Sequence, residues 1–169
     1  MVIGNGSIAS VLKDLDTPDL VFFAAGVSNS SCTDDSEYQR ERNLMLTVPY
    51  DKHIVYFSNL GVYYKNDRYT QHKIDTEEFI RNNYNSYTIV RIEVCEWVST
   101  PTTILNVFKN QLKNGVEPII YDTTRYVLSV KEFLYWISLI KPGIKNEMNV
   151  LGRKMKISEI VHEIKNGKL

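Results

Sequence analysis

The chain is short of cysteine and carries no surplus of charge, and both absences narrow what it can be. Its two cysteines, Cys32 and Cys95, stand far apart with no metal-ligand spacing. They read as reduced, part-buried thiols, not as a disulfide or a metal site. The three histidines, His53, His72 and His162, are scattered too, so no zinc or other metal site is expected. Twenty basic residues balance twenty acidic ones, and no basic run interrupts the sequence. Neither a nucleic-acid partner nor an anionic membrane surface is expected from such a balance. Long apolar runs are also missing. The most apolar late stretch, Tyr126 to Ile140, is broken by Lys131 and Glu132, so no membrane span is expected. The N-terminus lacks the basic segment and apolar run of a signal peptide, and the expectation is a soluble cytoplasmic protein. A chain of 169 residues suits one domain, with or without a small appendage.

What is present begins at once. Val2-Ile3-Gly4-Asn5-Gly6-Ser7-Ile8-Ala9 reads as a strand, a glycine-rich turn and the start of a helix. The spacing Gly4-x-Gly6-x-x-Ala9 is the G-x-G-x-x-A form of the dinucleotide-binding turn. Small residues there let the backbone approach a pyrophosphate, and the following helix offers free N–H groups. A glycine-rich turn that binds nothing is the plain alternative, because this motif alone is weakly specific.

The rest of the chain alternates strands and helices. Leu20 to Ala25 and Ile54 to Ser58 are continuous apolar runs of the kind buried on both faces of a parallel sheet. Ser86 to Val94 and Glu117 to Tyr121 complete the expected strands. Helices are expected at Ile8 to Leu15, from Asp34-Asp35-Ser36-Glu37 towards Pro49, at Tyr69 to Asn82, Thr103 to Lys113, Val130 to Ile140 and Ile157 to Ile164. Strands separated by helices predict an α/β fold with a parallel sheet and right-handed crossovers.

Several segments stand in an order that resembles the extended short-chain dehydrogenase/reductases, the nucleotide-sugar epimerases, dehydratases and reductases. The glycine turn comes first. Asp19 to Gly26 resembles that family's D-x-V-x-H-x-A-A strand, and Arg42-Asn43 falls where the family has a helix carrying an asparagine. Phe57 to Tyr63 looks like its S-S/T-x-x-V-Y strand end, and Tyr69-Thr70-Gln71-His72-Lys73 matches its Y-x-x-x-K. Arg125 to Glu132 resembles a later R-x-F-x-x-V-x-D segment, and Asn149 to Ile160 its carboxy-terminal N-V-G…S-x-x-E-L stretch.

The resemblance implies NAD or NADP as cofactor and a nucleotide-linked sugar as substrate. It implies cofactor contacts at Gly4, Asn5, Gly6, Ser7, Ile8, Ala24, Ala25, Gly26 and Lys73. Tyr69 and Lys73 would form the catalytic pair, with Ser58 or Asn59 at the hydroxyl position beside them and Arg125 contacting the substrate's phosphate. On a helix, residues i and i+4 share a face, so phenol and ammonium converge. A nearby ammonium favours the phenolate of a tyrosine that ordinarily titrates near pH ~10. A solvated helix face is the plain alternative for this pair.

Three departures qualify the resemblance. Asn59 stands where the family places serine or threonine, with Ser58 one residue earlier. Glu93-Val94 follows Arg91 where the family shows a proline and a substrate-contacting asparagine, which leaves Arg91 to packing or an ion pair. The largest departure lies between the turn and Asp19, where only Ser10 to Pro18 intervene. The family has two further strands and a helix there, including the residue that reads the adenosine ribose. Asp14 and Asp16 do not replace it.

The expected architecture is therefore a shortened Rossmann-like sheet with its first strand at or near the edge. Residues 1–100 form the core, and 101–169 form a small carboxy-terminal, substrate-type part packed on the same domain. A short apolar edge invites cover, by a second copy of the chain or by the carboxy-terminal segment. Two functions stay open. One is an NAD(P)-dependent epimerase, dehydratase or reductase with Tyr69 as acid/base. The other is a non-catalytic descendant that binds nucleotide weakly, or has lost it, and works through association.

Overall fold

A computed structural model describes residues 1–15 and 18–169; Asp16 lies outside them. Five parallel strands form the main sheet in the order β1 (Val2–Ile3), β2 (Leu20–Phe23), β3 (His53–Asn59), β4 (Ser86–Ile92) and β7 (Lys145–Asn149). A three-stranded sheet joins β5 (Val94–Cys95), β6 (Thr124–Leu128) and β8 (Arg153–Lys156). β1 is an edge strand, paired with β2 through Val2–Phe22 and Ile3–Phe23. The shortened sheet predicted from the stretch before Asp19 is therefore found.

Alternation along the inner strands builds two cores. Leu20, Phe22, Val55, Phe57 and Val90 point to one face, where Leu12 of α1 (Ser7–Leu12) and Phe133 and Ile137 of α5 (Val130–Ser138) cover them. Val21, Phe23, Ile54, Tyr56 and Ile89 point to the other. There they meet Met45 of α2 (Asp35–Met45) and Ile80 of α3 (Arg68–Asn83). Every residue of β3 except Asn59, and every residue of β2 and β4, is buried, as strands sandwiched between helix layers must be. A third core joins α4 (Ile104–Lys113), α6 (Ile157–Lys165) and the small sheet through Leu105, Phe108, Val127, Met155 and Ile160.

The helices start where side chains cap them. Asp34 accepts from the Ser36 amide, Asp67 from Thr70, and Ser129 forms a reciprocal capping box with Glu132. Two expectations need correction. Residues 117–121 form no strand, and Ile119, Ile120 and Tyr121 stand exposed. β7 was not anticipated, because four of its five residues are exposed and polar in character. Its register against β4, from Tyr87–Lys145 to Arg91–Asn149, makes it a strand.

The two stretches of sequence exchange strands. β7, from the later stretch, finishes the main sheet, while β5, from the earlier one, opens the small sheet with β6. Among the described residues, no helix is long and apolar enough to cross a membrane.

Candidate functional site

The carboxyl ends of β1, β2, β3 and β4 open onto one groove of about 1340 Å³. In open α/β sheets this is the end where ligands bind. The groove gathers Gly4 to Ile8 after β1, Ala24 to Gly26 after β2, Ser58 and Asn59 at the end of β3, Tyr69 and Lys73 from α3, and Arg125 from β6. All thirteen residues singled out in the sequence therefore line the same space. A smaller cleft of about 400 Å³ between β8 and α6, beside Arg153 and His162, is remote from them.

The two glycines of the turn have different reasons to be glycine. Gly4 has φ +127°, and a Cβ there would lie 2.3 Å from the Ala24 carbonyl oxygen. The fold itself excludes any side chain at that position. Gly6 has an ordinary extended backbone as N-cap of α1, and a Cβ would meet nothing within 4 Å. The fold does not require glycine there; the space above it is open to the groove. Segment 97–99 flanks the turn: Trp97 Nε1 donates to the Ser7 carbonyl, the Ser99 amide donates to Ser7 Oγ, and the two serine hydroxyls lie 3.2 Å apart.

Behind Gly26 sits a buried ionic cluster. Lys73, 2 % exposed, donates to Tyr56 Oη at 3.0 Å and to Glu41 Oε1 at 3.2 Å. Glu41 is fully buried and also accepts from the Val27 amide at 2.7 Å and from Tyr56 Oη at 2.9 Å. His72 Nε2 lies 3.0 Å from Glu41 Oε2 in a poorly aligned contact. Burial opposes the Glu41 carboxylate, yet Lys73, His72 and the Val27 N–H together hold its pKa far below the usual range. Burial likewise opposes the Lys73 ammonium, and Glu41 first, then Tyr56 and Tyr69, raise its pKa. An ammonium has three donors, and two are committed within the protein. A Cβ on Gly26 would stand 2.7 Å from Lys73 Nζ, so this glycine makes room for the cluster.

Sequence reasoning missed Glu41. Its neighbours Arg40, Arg42 and Asn43 suggest a solvated helix face, but Tyr38, Glu41 and Met45 recur at helical spacing and are the buried residues of α2. That phase was the available signal. Asn43, the residue matched to a family asparagine, is exposed and accepts from Gln39.

Tyr69 lies in the first turn of α3, half-buried, and its hydroxyl has no hydrogen-bond partner among the described residues. Lys73 Nζ stands 5.6 Å from the centre of its ring, turned towards Glu41. Burial pushes the Tyr69 phenol up, and the Lys73 ammonium only partly offsets it. Glu41 and Asp67 add to the effect of burial.

Ser58 and Asn59 have internal tasks. Ser58 Oγ donates to Glu77 Oε1 at 2.6 Å, and Asn59 Oδ1 accepts from the Gly61 amide, capping a 3-10 turn at Leu60–Tyr63. Glu77 also receives Arg91 through Nε at 2.9 Å and Nη2 at 2.5 Å, while Glu147 bridges Arg91 and Arg81. Arg91 is thus a buried ion-pair residue. At the far end of the groove Tyr64 Oη and the Tyr126 amide both donate to Glu93, with Arg125 Nε 3.8 Å from its carboxylate.

No family model matches the chain, and no curated protein matches it in sequence. Its fold is shared with solved structures of proteins in complex with NAD, NADPH or UDP. The Bordetella bronchiseptica enzyme WbmG in complex with NAD and UDP superposes with a TM-score of 0.63 at 14% identity, over 89% of this chain and 56% of that one. RMD from Pseudomonas aeruginosa complexed with NADPH gives 0.62 at 17%, over 87% and 65%. UDP-glucuronic acid 4-epimerase from Bacillus cereus in complex with NAD gives 0.63 at 14%, over 96% and 62%. The chain thus spans a little over half the length of WbmG. The architecture is that of a shortened Rossmann-like α/β domain of the kind these enzymes carry, in agreement with the order of motifs read from the sequence.

Proposed function

We propose that the groove binds a nicotinamide nucleotide by its phosphate and nicotinamide-ribose portions, and that Tyr69 serves as proton donor in reduction of a nucleotide-linked sugar. The observation that carries this reading is the convergence of an open Gly6, an unpartnered Tyr69 hydroxyl and Lys73 on one groove. The phosphate end fits, since the turn leaves space above Gly6 and the first N–H groups of α1 have no intrahelical acceptor. Lys73 fits a ribose hydroxyl with its remaining donor. A reduced nicotinamide held there would supply hydride to a carbonyl carbon. Tyr69 would then give its proton to the carbonyl oxygen and recover one from water in the groove. A phenol that holds its proton through neutral pH suits donation better than abstraction. Arg125, paired with Glu93 at 3.8 Å, lines the same groove and would meet the sugar's diphosphate.

The titration of NADH and NADPH by nicotinamide fluorescence tests binding. Gly6→Asp places a carboxylate against the phosphates without disturbing the fold and should abolish a saturable signal. Tyr69→Phe should leave binding unchanged while lowering any reductase turnover by roughly 10²–10⁴-fold. No binding of either dinucleotide at millimolar concentration would refute the reading. A second reading, a non-catalytic module working through association, draws support from Lys73, Ser58 and Asn59 all having internal partners. Saturable binding with no turnover on any nucleotide-linked sugar, in wild type and Tyr69→Phe alike, would favour it.

A further inference from the structure

The groove and the sheet edge disagree about how much of a dinucleotide this chain can use. Resting on the reading above, we infer that the ligand is held by its phosphoribosyl-nicotinamide half alone, so that nicotinamide mononucleotide is as good a ligand as the dinucleotide. β1 pairs with β2 on one side and has no strand on the other among the described residues. The wall that would carry an adenosine past the phosphate turn is therefore missing. Asp14, the described carboxylate nearest that edge in sequence, follows the six-residue α1, is exposed and is not part of the groove.

What borders the groove on the α2 side does not replace the wall. Arg40 is the cation there, and three of its five N–H donors are held within the protein: Nε and Nη2 on Glu37 Oε2 at 3.1 and 2.9 Å, and Nη1 on the Ala25 carbonyl at 3.1 Å. Those bonds fix the guanidinium between Glu37 and the loop after β2. Across the opening, Thr102 Oγ1 touches Asn29 Oδ1 at 3.4 Å, so the loops after β2 and β5 meet there. In contrast, the turn, Lys73 and Tyr69 line one groove together. An adenosine attached to the phosphate would extend into solvent beyond the β1 edge and gain little.

Fluorescence titration of the full chain with reduced nicotinamide mononucleotide, NADH and NADPH tests this. The three dissociation constants should agree within about threefold, AMP should fail to displace any of them, and Gly6→Asp should remove all three signals. A preference of more than tenfold for NADH or NADPH over the mononucleotide, or displacement by AMP, would overturn the inference while leaving the groove's proposed function standing. Absence of binding by all three would overturn both.

Discussion

The two ends of the groove treat their polar groups in opposite ways. At the phosphate turn, glycine leaves space, and Gly6 has nothing above it. Around α3, nearly every charged or polar side chain has found a partner inside the protein. Lys73 is held by Glu41 and Tyr56, Ser58 by Glu77, and Arg91 by Glu77 and Glu147. The first end leaves space open to the groove; the second is largely shaped around itself. Tyr69 marks the boundary, its hydroxyl without a partner among the described residues, beside a lysine whose charge is paired with Glu41. The difference shows that a family-like residue at the right place need not be available to a ligand. Availability depends on what else is buried with it.

Removing Glu41 strikes this comparison hardest. Glu41→Ala leaves the Lys73 ammonium buried without a counter-charge and should cost about 3–5 kcal/mol, read from the urea midpoint. Glu41→Ala together with Lys73→Met should recover most of the loss, because both charges then disappear. Glycine substitutions come next. Gly4→Ala should cost roughly 1–3 kcal/mol in backbone strain, with displacement of the Ala24 carbonyl besides. Gly6→Ala should change stability by no more than about 0.5 kcal/mol. Equal effects at the two positions would erase the contrast between a glycine that the fold requires and one that it does not.

Acid should weaken the ion pairs around α3. Arg81 holds the Glu147 carboxyl down to about 2, with Arg91 assisting and burial opposing. Lys73 and His72 likewise hold the Glu41 carboxyl below its ordinary value against the effect of burial. A carboxyl with a depressed folded-state pKa stabilises fully above its ordinary value, near 4.5 for both groups. That stability disappears as pH falls from there towards the folded value. The urea midpoint should therefore be flat above about pH 5 and fall steeply towards pH 2, and Glu147→Gln should flatten part of the fall. The smallest effect is expected at Arg125, which is half-exposed. Arg125→Ala should leave the midpoint within about 0.5 kcal/mol and weaken only nucleotide-sugar binding, measured by calorimetry.

Much of this was legible in the sequence, for physical reasons that can be named. Leu20 to Phe23 and Ile54 to Phe57 read as central strands because burial on both faces demands continuous apolar residues. The short stretch before Asp19 leaves no room for another strand-helix-strand, which placed β1 at the edge. Lys145 to Asn149 was opaque, since an edge strand paired only with β4 needs no apolar pattern. Glu117 to Tyr121 misled for the opposite reason: its apolar residues Ile119, Ile120 and Tyr121 lie in no strand and stand exposed. At the site, the glycine turn and the Tyr69–Lys73 spacing were visible as local patterns. The neutralisation of Lys73 was not, because its partner is 32 residues away on another helix.

The exchange of strands between the two sheets bears on how the molecule assembles. β4 pairs with β7 across the whole of the small sheet's β5 and β6, so Arg91 must wait for Asn149. Contacts of such sequence separation are slow to form, and the loop entropy of closing them precedes any gain from pairing. Neither sheet can complete before most of the chain is present. The protein should accordingly refold as one cooperative unit, with β4–β7 pairing among its late steps.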